Sequence, residues 1–148
     1  EFNDFSFVLV GRNYTQPSID IEGMMREIVE EKRALYIPWI EDEDLVSLYQ
    51  AASYYICTST VDGEALMLKE AMQSGTPVIT SSLLKEAIGG NGLIIDDPKS
   101  ILNTSKILRI AMGKELVRKR LIKDGIKWTQ NITWERVADN ILTFLESR

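Results

Sequence analysis

The chain has 148 residues, no histidine and a single cysteine, Cys57. Without an imidazole, serine–histidine and cysteine–histidine catalysis and most zinc sites cannot be built from this chain alone. A lone thiol excludes a disulfide scaffold and points to a reducing compartment. A basic excess is also missing. Seventeen Lys and Arg stand against 22 Asp and Glu, a net charge of −5. The basic residues are scattered, which argues against a nucleic-acid surface. The longest apolar runs, such as Phe5–Val10, reach only about six residues, too short to cross a bilayer. No signal-peptide pattern is visible, so the expectation is a cytoplasmic protein. In that setting the Asn-x-Ser/Thr triplets at Asn13, Asn103 and Asn131 read as chance. No repeat, low-complexity tract or internal linker is evident. Apolar residues make up 45% of the chain, enough for a real core in one domain, 1–148, of ordinary size.

The apolar pattern alternates between short strands and amphipathic helices. Phe5–Val10 reads as a buried strand, closed by Gly11-Arg12-Asn13. Pro17-Ser18 starts a helix with Ile21, Met24, Met25 and Ile28 on one stripe. Ala34–Ile37 is the second strand, stopped by Pro38. Asp42 caps a helix striped by Leu45, Leu48, Tyr49 and Ala52. Ser53–Cys57 is the third strand. A loop follows, then a helix over Ala65–Ser74, a stop at Gly75 and a strand over Pro77–Thr80. A short helix is expected over Leu83–Ile88, a turn at Gly89–Gly92 and a fifth strand over Leu93–Asp96. Helices are expected over Ile101–Met112, Lys114–Trp128 and Trp134–Leu145, the last capped by Thr133. Connections of this length suit parallel pairing through crossovers. The expected class is α/β: a Rossmann-like three-layer sandwich with a mainly parallel sheet of about five strands and helices on both faces.

In such sheets ligands bind beyond the carboxyl ends of the strands, which is where the loop after strand three lies. A helix beginning near Ala65 leaves its first amides without intrahelical acceptors. Gly63 permits close backbone approach, and amides at the positive end of a helix attract phosphate. Glu70, one turn in, can accept from the two adjacent hydroxyls of a ribose. Asp62, on the loop, faces whatever precedes the phosphate. Together these groups suit a sugar–diphosphate–nucleoside ligand. The same pattern also describes an ordinary turn with a solvated Glu70, and spacing leaves both readings open.

The run Ser59-Thr60-Val61-Asp62-Gly63-Glu64-Ala65-Leu66-Met67-Leu68-Lys69-Glu70-Ala71-Met72, followed by Gly75-Thr76-Pro77-Val78-Ile79, resembles a known family pattern. It is similar to the carboxyl-terminal, donor-binding half of retaining glycosyltransferases of the GT-B architecture (glycosyl transferases group 1). That family shows Pro-Ser, two residues, Glu-Gly-Phe-Gly-Leu-Pro, two residues, Glu-Ala-Met and then Gly-Thr-Pro-Val-Ile. The flanks YIPWIEDEDLVSLYQAASYYICTS, GGNGLIIDDP and WTQNITWERVADNILTFL follow it in order. The resemblance implies that Glu70 binds the nucleotide ribose and that Asp62 lies near the donor sugar. It implies that Ser59, Gly63, Glu64, Ala65 and Leu66 hold the diphosphate or sugar hydroxyls, and that Trp39 and Ile40 flank the base. Arg12, after Gly11, would be a remnant of a phosphate-gripping Gly-Arg element. No metal or other cofactor is implied. The nucleotide sugar is the donor substrate.

The chain departs from the pattern where Asp62 stands for Glu, Glu64 for Phe, Ala65 for Gly, and Thr58 and Met67 for prolines. The family's first strand and its amino-terminal, acceptor-binding domain have no counterpart here. The chain therefore reads as a carboxyl-terminal fragment, inactive alone. Two readings are carried forward: a donor-binding domain acting on a glycan or lipid-linked acceptor, and a non-catalytic, glycosyltransferase-like partner subunit. Asp42-Glu43-Asp44 reads as acids paired with a helix dipole rather than a metal site. Lys114–Lys123 reads as a solvated basic face, with docking at the inner face of a membrane as the sharper option. The base, sugar, acceptor and oligomeric state are not legible.

Overall fold

The structure is a computed structural model that describes residues 5–11, 23, 26, 34–60 and 63–147. Of the expected helix after Pro17, Gly23 and Arg26 are helical and the rest lies outside the described residues. The chain divides into two compact units, Glu1–Leu45 and Val46–Arg148.

In the first unit β1 (Phe7–Val10) pairs in parallel with β2 (Ala34–Ile37), Phe7 opposite Ala34 and Val10 opposite Ile37. The Gly11 amide extends the ladder by donating to the Ile37 carbonyl at 3.1 Å. Gly11 has φ 131, outside the range that side chains favour. β1 is not the buried strand its sequence suggests. Phe7, Val8 and Leu9 are 47%, 45% and 40% exposed. An unbroken apolar run marks a strand with both faces covered, but burial depends on what packs there, which local sequence does not encode.

The second unit holds a three-stranded parallel sheet in the order β3-β4-β5, formed by Tyr55–Cys57, Val78–Ser81 and Leu93–Ile95. The central strand β4 is buried along its whole length. Its neighbouring side chains point to opposite faces, and each face finds apolar cover. Ile79 packs with Ile95 and Ala111, flanked by Leu93, Ile107 and Leu108, against helix α3 (Ile101–Gly113). Val78 lies beside Ile88 over Gly92, where a Cβ would come within 2.7 Å of Ile88 and 3.0 Å of Val78. The Tyr54 hydroxyl donates to the Ala111 carbonyl at 3.0 Å and fastens α3 to the sheet. Helices α2 (Leu66–Gln73) and α4 (Glu115–Thr129) pack together where Met72 sits against Gly125.

The five described strands are thus all paired in parallel, as expected, though shared between sheets of two and three. Helix α1 spans Asp42–Ala51. Asp42 is its first residue rather than its cap, and the Glu41 carbonyl accepts from the Leu45 amide. The segment expected as one helix before Gly89 is two 3₁₀ turns, Ser82–Leu84 and Glu86–Ile88. Tight turns of this kind close short apolar connections that cannot complete an α-helical turn. The Thr133 hydroxyl accepts from the Arg136 amide and caps α5 (Trp134–Glu146) as expected. Trp134, the first residue of that helix, is 79% exposed. Among the described residues no helix is long and apolar enough to cross a membrane.

Candidate functional site

Parallel pairing puts the carboxyl ends of β3, β4 and β5 on one edge, and hydroxyl side chains lace that edge together. The buried Ser81 hydroxyl donates to the Ser59 carbonyl at 2.7 Å, and Thr80 donates to the Cys57 carbonyl at 2.9 Å. Ser82 donates to the Asp96 carbonyl at 3.2 Å. Asn103 in turn accepts from the Asp96 amide at 3.2 Å. The loop beginning at Ser59 therefore leaves from a fixed base.

Gly63 and Glu64 lie exposed on this loop, and a Cβ at Gly63 would meet open space. Ala65 then turns the chain into α2 with φ 50 and ψ 41, left-handed, while 1% exposed. This is the position where the family pattern carries glycine, and a left-handed alanine costs about 1–2 kcal/mol. The Ala65 carbonyl accepts from the Leu68 and Lys69 amides. Leu66 and Met67, first in the helix, have no intrahelical acceptor for theirs. No side chain caps this helix at Ala65.

Glu70 is exposed on α2, three residues after Met67 and so on the same face. Beneath that face lies a tyrosine pair. Tyr55 donates its hydroxyl to the Met67 sulfur at 3.8 Å. Its ring meets that of Tyr49 edge-to-face at 5.5 Å between centroids. Tyr49 is 4% exposed and its hydroxyl has no hydrogen-bond partner. Burial, then the Glu70 charge and an incipient hydrogen bond to that carboxylate, push the Tyr49 phenol up to about 12. Glu70 is thus the charged group that acts on the Tyr49 hydroxyl. The Thr76 hydroxyl donates to the Tyr49 carbonyl and holds α1 against the start of β4.

Two participants escaped the sequence reading. Tyr49 was absorbed into an apolar stripe, although a phenol inside such a stripe demands a partner for its hydroxyl. Lys69 was passed over. Its side chain is 19% exposed and pairs with Glu64 at 3.3 Å. That pairing gives Glu64 a local countercharge.

The structure brings Ser59, Gly63, Glu64, Ala65, Leu66 and Glu70 together on one loop and helix. Trp39 and Ile40 follow β2 in the other unit, where the Trp39 indole donates to Glu41 at 3.0 Å. Asp62 and Arg12 lie outside the described residues. Asp42, Glu43 and Asp44 form the first turn of α1. Among the described residues no three His, Cys, Asp or Glu side chains converge as metal ligands. Basic residues of α4 pair along their own helix, Arg118 and Lys119 with Glu115 and Arg120 with Asp124, at 3.7–4.0 Å.

A Rossmann-like α/β domain of parallel strands, with an acid-bearing loop and helix at the strand ends, is an arrangement shared with GT-B glycosyltransferase domains. The family described as Glycosyl transferases group 1 matches residues 1–111, and the chain belongs to it. It is 30% identical over 102 residues to O-antigen chain mannosyltransferase B of Escherichia coli, covering 68% of this chain and 26% of that protein. It is 24% identical over 146 residues to mannosylfructose-phosphate synthase of Agrobacterium fabrum, covering 93% and 32%. Among solved structures, sucrose-phosphate synthase from Thermosynechococcus elongatus superposes with a TM-score of 0.77 at 20% identity, covering 98% of this chain and 46% of that one. The lipopolysaccharide glycosyltransferase WaaG superposes at 0.71 and 19%, covering 92% and 38%. These two likenesses establish the fold. The chain spans about a quarter to a third of the length of the two curated relatives.

Proposed function

We propose that this chain is the nucleotide-sugar donor-binding domain of a retaining glycosyltransferase that moves a hexose-type sugar onto a glycan or lipid-linked acceptor. The observation that carries the reading is the left-handed turn at Ala65. It starts α2 at the carboxyl end of β3, with the Leu66 and Met67 amides leading and Glu70 exposed a turn further on. The amides and the positive helix end receive the diphosphate. The Glu70 carboxylate accepts from the ribose hydroxyls. Asp62 serves the donor sugar, and Ser59, Gly63 and Glu64 line the path between them. Lys69 holds Glu64 and keeps its charge from opposing the diphosphate. Trp39 and Ile40 flank the base, and Arg12 assists the phosphates. The donor is the substrate, with no further cofactor. An amino-terminal domain supplies the acceptor site, and the protein works at the cytoplasmic side, with Lys114–Lys123 as its membrane-facing segment.

A second reading, a non-catalytic glycosyltransferase-like subunit, is favoured by the strain at Ala65 and the acid at Glu64. Calorimetric titration with UDP and GDP separates the two. Donor binding predicts that one of them binds and that Glu70→Gln weakens it about 10- to 100-fold, the range of a lost hydrogen bond to a charged group. Absence of binding to either nucleotide in the full-length protein would overturn it in favour of the subunit.

A further inference from the structure

Tyr49 presents a buried hydroxyl with no partner in a packed environment, a state that is normally costly. The residue is held on its ring and on its backbone. Tyr55 meets it edge-to-face, Thr76 holds its carbonyl, and only 4% of the residue is exposed. Tyr55 in turn touches Met67, which shares a helix face with Glu70 one turn later. Tyr55 thus links the Tyr49 ring to the helix face that carries Glu70. The Glu70 carboxylate is the charged acceptor acting on it. Glu70 is exposed and free to turn about its side-chain bonds, whereas Tyr49 is packed.

We propose that Tyr49 is a positioning residue for Glu70. When a nucleotide draws the carboxylate inward, the Tyr49 hydroxyl donates to one oxygen and turns the other toward the ribose hydroxyls. The inference rests on the donor-binding reading and adds a residue from α1 to that site. The phenol remains a donor throughout the neutral range. One carboxylate oxygen is then committed to the protein and the other to the pentose, so recognition of the ribose depends on a group the nucleotide never touches.

The test uses wild type, Tyr49→Phe, Glu70→Gln and the double variant in the full-length protein, titrated with UDP and GDP and with their 2′-deoxy counterparts. Wild type is expected to prefer the ribonucleotide. Tyr49→Phe should lower ribonucleotide affinity about 5- to 20-fold, leave the deoxynucleotide nearly unchanged, and add nothing further in the Glu70→Gln background. If Tyr49→Phe leaves the ribo-to-deoxy ratio intact while Glu70→Gln collapses it, the positioning role is wrong and the donor-binding reading stands. If neither variant alters binding, or no nucleotide binds, both fall. The ratio is internally normalised, so partial loss of active protein does not alter it. Melting by circular dichroism supplies the second measurement. Removing an unpartnered hydroxyl should leave the melting temperature equal or raise it, and a collapse would show that the hydroxyl has a structural partner, which overturns the proposal.

Discussion

Gly89 and Gly90 allow one steric effect to be separated from one conformational effect. Both have positive φ, 56 and 73. Their amides donate to the Glu86 and Lys85 carbonyls, each at 3.0 Å, and close the second 3₁₀ turn. An alanine at Gly90 would meet nothing within 4 Å. Its cost is the left-handed conformation, about 1–2 kcal/mol, offset by about 0.4–1 kcal/mol from a less flexible unfolded chain. The expected net loss for Gly90→Ala is therefore roughly 0–1.5 kcal/mol. At Gly89 the added methyl would lie 2.3, 2.7 and 2.9 Å from three atoms of the Trp128 indole. Carbon contacts settle at about 3.5–4 Å, so a rigid ring must retreat by about 1 Å or more. Overpacking of that kind adds about 1–3 kcal/mol. Gly89→Ala should thus lose about 1–4.5 kcal/mol in total, with a melting point lower by very roughly 3–14 °C at this chain length. Urea unfolding followed by circular dichroism measures both variants. Trp128→Ala in the Gly89→Ala background should recover most of the steric part, as a coupling in the double-mutant cycle. Equal losses for the two glycine variants, or no coupling to Trp128, would refute the argument.

The Tyr49 phenol, raised from 10.0 to about 12 by burial and then by the Glu70 charge, links folding to alkaline pH. Below pH 10 both folded and unfolded chains keep the proton. Between about 10 and 12 only the unfolded chain releases it, so stability falls as pH rises, by roughly 2 kcal/mol at most. Tyr49→Phe should flatten that decline in denaturation curves taken from pH 9 to 11.5, and an unchanged slope would count against the burial of the hydroxyl. Ser100 accepts from the Asn103 amide at 3.3 Å and caps α3. Ser100→Ala should cost about 1 kcal/mol and Ser100→Asp much less, read as urea midpoints.

What could be read from the chain was whatever local pattern controls. Strand and helix periods placed all five described strands and helices α1 to α5 to within a few residues, because side-chain alternation and helical stripes are properties of neighbouring residues. The Thr133 cap and the stop at Gly75, with φ 85, were legible for the same reason. The motif around Glu70 was visible because an acid, a glycine and a helix start sit close together in the chain. Other features arise only when distant segments meet. The exposure of β1 depends on what lies across it, and the orphan hydroxyl of Tyr49 needs α1, β3 and α2 in register before its environment exists. The ion pair of Lys69 with Glu64 requires a turn whose left-handed geometry an alanine does not advertise. Sequence alone determined the class of fold and the place of the acid loop, since both follow from short-range periodicity and spacing. Tertiary structure decided which polar groups lost water and which charges acted on them, because desolvation and electrostatic fields are set by packing between residues far apart in the chain.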